Sequence, residues 1–518
     1  MTDRGRHPGP AHGTMGGMQR CKRWGTALLS SVLVLLGAPM HTAVAAPEPA
    51  APQLNWQSCS LFYDNTSMIP TAQCARLPVP ISYEEPAGST TALAVIRVPA
   101  AGERIGALFV NPGGPGASAV DTVASMGAAL VGSPINEHFD LVGFDPRGIG
   151  FSTPELRCRT DAEFDAWRRE PMADFSPAGV ARIEALYQQF ANQCAARMGT
   201  EFLATMGTRD VARDMDTVRR ALGEEQITYL GFSYGTEIGT AYLRSYGQHV
   251  RAMVLDGAID PTVDPVTKSI NQMAGFQQAF NAYAADCAQS PDCPLGQDPA
   301  LWVARYRQLV DPLVARPAAT ADPRGLSYAD ATTGTFNALY TPQLWKYLTS
   351  GLLGLARGTD PGDLLLLADE YEGRDADGHY RNNQDAFNAV RCMDAPSPTD
   401  PAVWAAADRR IREVAPFASY GAFTGFAPRD ICAFWPVPAT SAPQPASPAR
   451  PGSVVVVSTT GDPATPYQAG VNLARQLQAP LITFEGTQHT VVFSGRECID
   501  ATVVDYFVDG VVPGDMRC

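Results

Sequence analysis

Apolar residues gather in short runs, several of which end in Gly, Asp or Ser clusters. They are Leu93–Val98, Ala107–Val110, Leu141–Phe144, Ile227–Phe232, Met253–Leu255, Val454–Ser458 and Leu481–Phe484. Short, β-branched runs without clean alternation suit strands buried on both faces, as in a parallel sheet covered by helices. Helical periodicity lies between several of them, for example over Gly235–Tyr246 and Pro466–Leu477. The latter has Thr465 as its expected N-cap and Pro466 at the first helical position. Strands alternating with helices predict an α/β architecture with a mostly parallel central sheet.

The rhythm breaks between about Pro261 and Pro451. That stretch reads as helical over Ile270–Ala288, Leu301–Leu313, Pro361–Glu372 and Ala402–Val414, with Pro-rich joints. Its end, Pro436 to Pro451, is a Pro/Ala/Ser linker. A long helical insertion between two strands predicts a cap over the carboxyl edge of the sheet. The expected division is a core in two parts, 46–260 and 451–518, around a cap and linker at 261–450. Residues 46 to about 90 read as a Pro-rich N-terminal segment, and no internal repeat is visible.

Residues 1–45 read as something other than fold. Arg20, Lys22 and Arg23 precede an apolar run from about Ala27 to Pro39, and Ala43-Val44-Ala45 has the small-x-small form of a cleavage site. These are the marks of a secretory signal peptide cleaved near Ala45, which predicts a secreted, extracellular or periplasmic protein. No later stretch approaches the ~20 apolar residues of a membrane span. Cleavage would take five basic residues and one acidic residue from totals of 39 and 53, leaving a net charge of −18. Nucleic acid is not an expected partner of such a surface, and a monomer is expected. Of eleven cysteines, Cys21 lies in the signal region and ten remain. An even count in an exported chain points to disulfides. The simplest pairing couples sequence neighbours: Cys59/Cys74, Cys158/Cys194, Cys287/Cys293, Cys392/Cys432 and Cys498/Cys518. No CxxC or HExxH pattern occurs, so neither a metal nor another cofactor is expected.

Gly231-Phe232-Ser233-Tyr234-Gly235 is a G-x-S-x-G sequence between a strand run and a helical segment. In that context it predicts a nucleophile elbow, with the serine exposed at a helix N-terminus. Serine is a weak nucleophile and needs a base oriented by an acid. Four histidines follow residue 45. His138 and His249 precede strand runs, at the sheet edge opposite the serine, and His379 sits in a Gly/Asp-rich loop of the insertion. His489 follows the run Leu481–Phe484 on the correct side and is the expected base. Asp462, in the loop after Val454–Ser458, is the expected acid. Asp256, after Met253–Leu255, is its rival. The order Ser…Asp…His is that of an α/β-hydrolase. Asn111-Pro112-Gly113-Gly114-Pro115-Gly116 follows another strand run, and its glycines let backbone N–H groups approach a substrate oxygen. The expected oxyanion donors are the N–H groups of Gly114 and Tyr234.

Gly113-Gly114-Pro115-Gly116, Asp145-Pro146-Arg147-Gly148-Ile149-Gly150-Phe151-Ser152 and Gly231-Phe232-Ser233-Tyr234-Gly235-Thr236, in that order, resemble the prolyl-aminopeptidase-like α/β-hydrolases. With Gly461-Asp462 and Gln488-His489, the chain is most similar to their secreted tripeptidyl-aminopeptidase branch, from about residue 55 to Cys518. Pro112 stands where many relatives have histidine, and Pro146 where Gln is usual; neither change removes a catalytic group. The resemblance implies hydrolysis of peptides with a free N-terminus, through an acyl-enzyme on Ser233. An exopeptidase needs a carboxylate for the substrate ammonium. Asp394, in a loop that a Cys392 disulfide would pin, is the candidate. Arg147 is expected to brace the loop under the site. The alternative is a secreted carboxylesterase with the same triad, since fold and triad do not separate esters from amides.

Overall fold

The computed structural model describes residues 52–63 and 70–518. The signal peptide expected over residues 1–45 lies outside the described residues. The strands are β1 (Gln57–Ser58), β2 (Gln73–Pro80), β3 (Thr90–Val98), β4 (Gly106–Asn111), β5 (Phe139–Asp145), β6 (Ile227–Phe232), β7 (Val250–Asp256), β8 (Val454–Thr459), β9 (Leu481–Phe484) and β10 (Met516–Arg517). They form one sheet in the order β1-β2-β3-β5-β4-β6-β7-β8-β9-β10. Pairing is antiparallel from β1 to β5 through β2 and β3, and parallel from β5 onward. Every residue of β4, β5 and β8 is buried, as runs without alternation predict.

Both faces are covered. Phe109, Tyr229, Leu255 and Val456 point to one side, against Met215, Ile238, Tyr242 and Leu473. Leu108, Leu230, Val254 and Val457 point to the other, with Val123, Val503 and Phe507. A separate cap core of Phe276, Phe280, Tyr306, Leu339, Leu348 and Leu364 lies in the insertion between β7 and β8. The helices Pro265–Cys287, Trp302–Val310, Gly362–Glu372 and Pro401–Val414 occupy expected positions, and Tyr328–Leu339, Trp345–Arg357 and Asn383–Asp394 are additional. All five disulfides join the sequence-adjacent couples. No helix among the described residues is long and apolar enough to cross a membrane.

Three local expectations are corrected. The Pro-rich N-terminal segment holds β2, whose register with β3 runs unbroken from Gln73↔Arg97 to Pro80↔Thr90. Its other side meets β1 only at Cys74 and Gln73, so Pro78 and Pro80 fall where that edge has no partner strand. Pro466, rather than Thr465, is the N-cap of the helix Tyr467–Leu477, and it supplies no side-chain cap. The Thr465 hydroxyl instead donates to Asp462. Asp394 ends the helix Asn383–Asp394 instead of lying in a loop.

Candidate active site

Ser233 sits between β6 and the helix Tyr234–Tyr246 at φ +54° and ψ −122°. A non-glycine residue adopts that region only when its surroundings hold it there. The Ser233 N–H donates to the Asp256 carbonyl at 2.8 Å, and its own carbonyl accepts from the Thr236 N–H and hydroxyl at 2.8 and 2.6 Å. The flanking glycines are steric necessities. A Cβ on Gly231 would lie 2.6 Å from the Gly235 carbonyl oxygen, and one on Gly235 would lie 2.8 Å from that of Asn111.

His489 and Asp462 meet at the carboxyl edge of the sheet. Nδ1 of His489 is 2.9 Å from both carboxylate oxygens of Asp462. Asp462 is itself fixed: Oδ1 accepts from the Ala464 and Thr465 N–H groups, and Oδ2 accepts from the Thr465 hydroxyl at 2.9 Å. A carboxylate partner at Nδ1 assigns the proton there and leaves Nε2 with its lone pair. Burial favours the neutral ring, yet the charge and hydrogen bond of Asp462, aided by the charge of Asp256, hold the pKa above the usual imidazole value. The cap reaches this residue as well. The His489 N–H donates to the Tyr340 carbonyl at 2.8 Å, and the Tyr340 ring meets the imidazole edge-on at 5.4 Å between centroids. Asp256 makes no hydrogen bond to the ring. Its Oδ2 accepts the N–H groups of Val491 and Val492 at 2.7 and 2.8 Å.

The other histidines are engaged elsewhere: Nδ1 of His138 with the Glu103 carbonyl, that of His249 with the Glu225 carbonyl, and that of His379 with Asp161. Arg147 braces the structure through a two-pronged pair with Asp214 and bonds to the Pro80 and Ile81 carbonyls.

The glycine loop after β4 is packed onto the elbow. A Cβ on Gly113 would lie 2.5 Å from the Phe232 carbonyl oxygen, 2.9 Å from Ser233 Cβ and 3.0 Å from the Tyr234 nitrogen. Gly113 (φ +92°) and Gly114 (φ +103°) both lie in the region favouring glycine. The Gly113 N–H is taken by Asn111 Oδ1 at 3.0 Å. The N–H groups of Gly114 and Tyr234 donate to no protein acceptor among the described residues, which leaves them available to an incoming oxygen.

Asp394 reaches the elbow through Thr208. Its Oδ1 accepts the Thr208 N–H at 2.7 Å and its Oδ2 the Thr208 hydroxyl at 2.6 Å. That hydroxyl also meets the Tyr234 phenol at 2.5 Å. Burial, reinforced by the charge of nearby Glu237, pushes the Asp394 carboxyl up to about 7, although the Thr208 bonds and Lys268 oppose the shift. Lys268 is paired with Glu237 at 2.8 Å. A second unusual acid is Glu372 in the cap. Burial pushes it up to about 7, against the charges of Arg168 and Arg159.

A family model of the alpha/beta hydrolase fold matches residues 106–495. The chain belongs to the α/β-hydrolase family. Carboxylesterase B of Mycobacterium tuberculosis (strain ATCC 25618 / H37Rv) is 66% identical over 518 residues, covering 97% of this chain and 100% of that protein. Serine protease Hip1 of the same strain is 50% identical over 501 residues, 94% of this chain and 95% of its own. Tripeptidyl aminopeptidase of Streptomyces lividans is 30% identical over 483 residues, 90% of this chain and 87% of its own. The resemblance to the tripeptidyl-aminopeptidase branch is thus borne out, and the chain is a hydrolase.

Within this α/β-hydrolase, sequence reasoning missed Thr465, Thr208 and Tyr340 as neighbours of the site. Thr465 carried a signal, since a threonine three residues after an aspartate is suited to a local side-chain turn. The others come from distant segments and carried none.

Proposed function

We propose that this α/β-hydrolase is a secreted serine exopeptidase that releases short peptides, tripeptides foremost, from free N-termini. The carrying observation is the His489–Asp462 pair at 2.9 Å, at the same edge of the sheet where β6 ends in an elbow serine held at φ +54°. His489 Nε2 takes the Ser233 proton as Oγ attacks the scissile carbonyl, and Asp462 stabilises the imidazolium. The Gly114 and Tyr234 N–H groups receive the oxyanion. The imidazolium then protonates the leaving amine, and water attacks the acyl-enzyme by the reverse path. Relatives named serine protease and tripeptidyl aminopeptidase support the peptidase reading. Five disulfides support export, with residues 1–45 as the signal peptide, and the mature chain is proposed to act as a monomer.

Asp394 is the proposed anchor for the substrate ammonium, because it lies one hydroxyl away from Tyr234 and near Glu237. Glu372, a cap acid that burial pushes up to about 7, is the competing anchor. The test compares free and N-acetylated tripeptidyl amides. Acetylation removes the charge and leaves the anchor unpaired, an expected loss of about 30- to 5,000-fold in kcat/KM. Equal cleavage of both substrates sinks the exopeptidase reading. Loss of the preference in Asp394→Asn or in Glu372→Gln identifies the anchor. The 66% relative named carboxylesterase favours a second reading, hydrolysis of esters. Turnover of a simple acyl ester with no cleavage of any free-amine peptide amide would select it.

A further inference from the structure

We infer that Asp256 is a positioning residue for His489: its carboxylate holds the backbone beyond the imidazole, and its charge supports the protonated ring. The inference rests on the reading of His489 as general base. Asp256 ends β7 beside Phe232 at the end of β6. Its carbonyl accepts the Ser233 N–H, so the residue grips the nucleophile turn with its backbone. With its side chain it grips the base loop, accepting the N–H groups of Val491 and Val492 just after His489. Between them Thr490 is held at φ +60°, a strained conformation for a β-branched residue. The residue just after β7 packs against this loop: a Cβ on Gly257 would lie 3.1 Å from His489 Cε1 and 2.9 Å from Thr490 Cγ2.

An anchor alone needs no second oxygen. Asp256 Oδ1 is buried and has no hydrogen-bond partner among the described residues. Leaving such an atom unpaired is costly unless a charge of opposite sign compensates it. The groups that face Asp256 are the two loop N–H groups, His489 and Asp462, the last a like charge. The positive charge nearby is therefore the one that appears on His489 when it takes the Ser233 proton. The ring then lies within the field of two carboxylates, only one of which, Asp462, it touches by a hydrogen bond. Burial raises the Asp256 carboxyl to about 6, so the charge is present near neutral pH.

The test is the pH dependence of kcat/KM on a free tripeptidyl amide, with fluorophosphonate labelling of the serine as a second readout. Asp256→Asn keeps an acceptor for the two N–H groups and removes the charge. The acid limb is expected to move down by about one pH unit, as for loss of a nearby opposite charge, with a lower kcat and an unchanged KM. Asp256→Ser removes the same charge with a smaller polar side chain and should move the limb alike. A limb unmoved in both variants, whatever the fall in melting temperature, overturns the inference, because a purely structural anchor would behave so. Failure of both to fold overturns it equally. His489→Gln stands apart: undiminished activity there would sink the base assignment itself.

Discussion

Replacing Asp462 by asparagine tests the proposed chemistry most sharply, because the shape is conserved while one proton changes place. The carboxylate accepts four donors: two backbone N–H groups, the Thr465 hydroxyl and His489 Nδ1–H. The asparagine oxygen can keep the two N–H bonds. Its amide nitrogen then replaces one of the two oxygens that lie 2.9 Å from Nδ1, and an amide N–H opposes Nδ1–H instead of accepting from it. The imidazole escapes by moving its proton to Nε2, where it no longer has a lone pair for the Ser233 hydroxyl. The Thr465 hydroxyl can turn to accept from the amide, so the fold should survive. In one well-studied serine protease triad the same change lowers kcat about 10⁴-fold, equivalent to ~5 kcal/mol at the transition state. A similar loss is expected here, with KM little changed and the melting temperature near that of the parent. The assay is steady-state hydrolysis of a free tripeptidyl amide, with circular dichroism confirming the fold. More than a tenth of the wild-type kcat in a folded sample would refute the assignment of Asp462.

Ser233→Ala should abolish turnover, a loss on the order of 10⁶-fold; a folded variant that still turns over freely would show that the nucleophile lies elsewhere. Ser233→Gly should be equally inactive yet more stable than Ser233→Ala by ~1 kcal/mol, since only glycine occupies φ +54° and ψ −122° without strain; chemical denaturation of the pair measures it. Gly113→Ala should destabilise the fold by at least ~1–3 kcal/mol and slow acylation, because its Cβ would press on the elbow and its φ is +92°; wild-type labelling by a fluorophosphonate would contradict this. The base must be neutral to act, so kcat/KM should rise with pH through an acid limb. Because His489 is shifted upward, that limb should centre above the ~6.5 of a free imidazole; a midpoint well below it would count against the His489–Asp462 pair.

Much of this fold was legible because its elements announce themselves locally. β6 and β9 coincide with their apolar runs, Ile227–Phe232 and Leu481–Phe484, and the disulfide partners are sequence neighbours. The elbow was legible for the same reason. Gly231, Ser233 and Gly235 lie within five residues of chain, and the turn they make is short-range geometry. β2 was hidden because Pro78 and Pro80 argue against a strand unless one knows that its outer edge lacks a partner there. The choice of acid was hidden more deeply. Asp256 ends β7 and Asp462 follows the neighbouring parallel strand β8, and both lie at the same edge as His489. Local sequence names Asp462 as the expected acid and Asp256 as its rival, but does not show which carboxylate meets the ring. Tertiary packing does: the N–H groups of Val491 and Val492 occupy one Asp256 oxygen, while the turn through Thr465 aims Asp462 at Nδ1. The sequence by itself thus determined the seven strands from β3 to β9 and the serine turn, because those depend on residues close along the chain. Which carboxylate meets the histidine, and which cap residue backs it, was decided only when distant segments met, because hydrogen-bond partners are chosen by space and not by order.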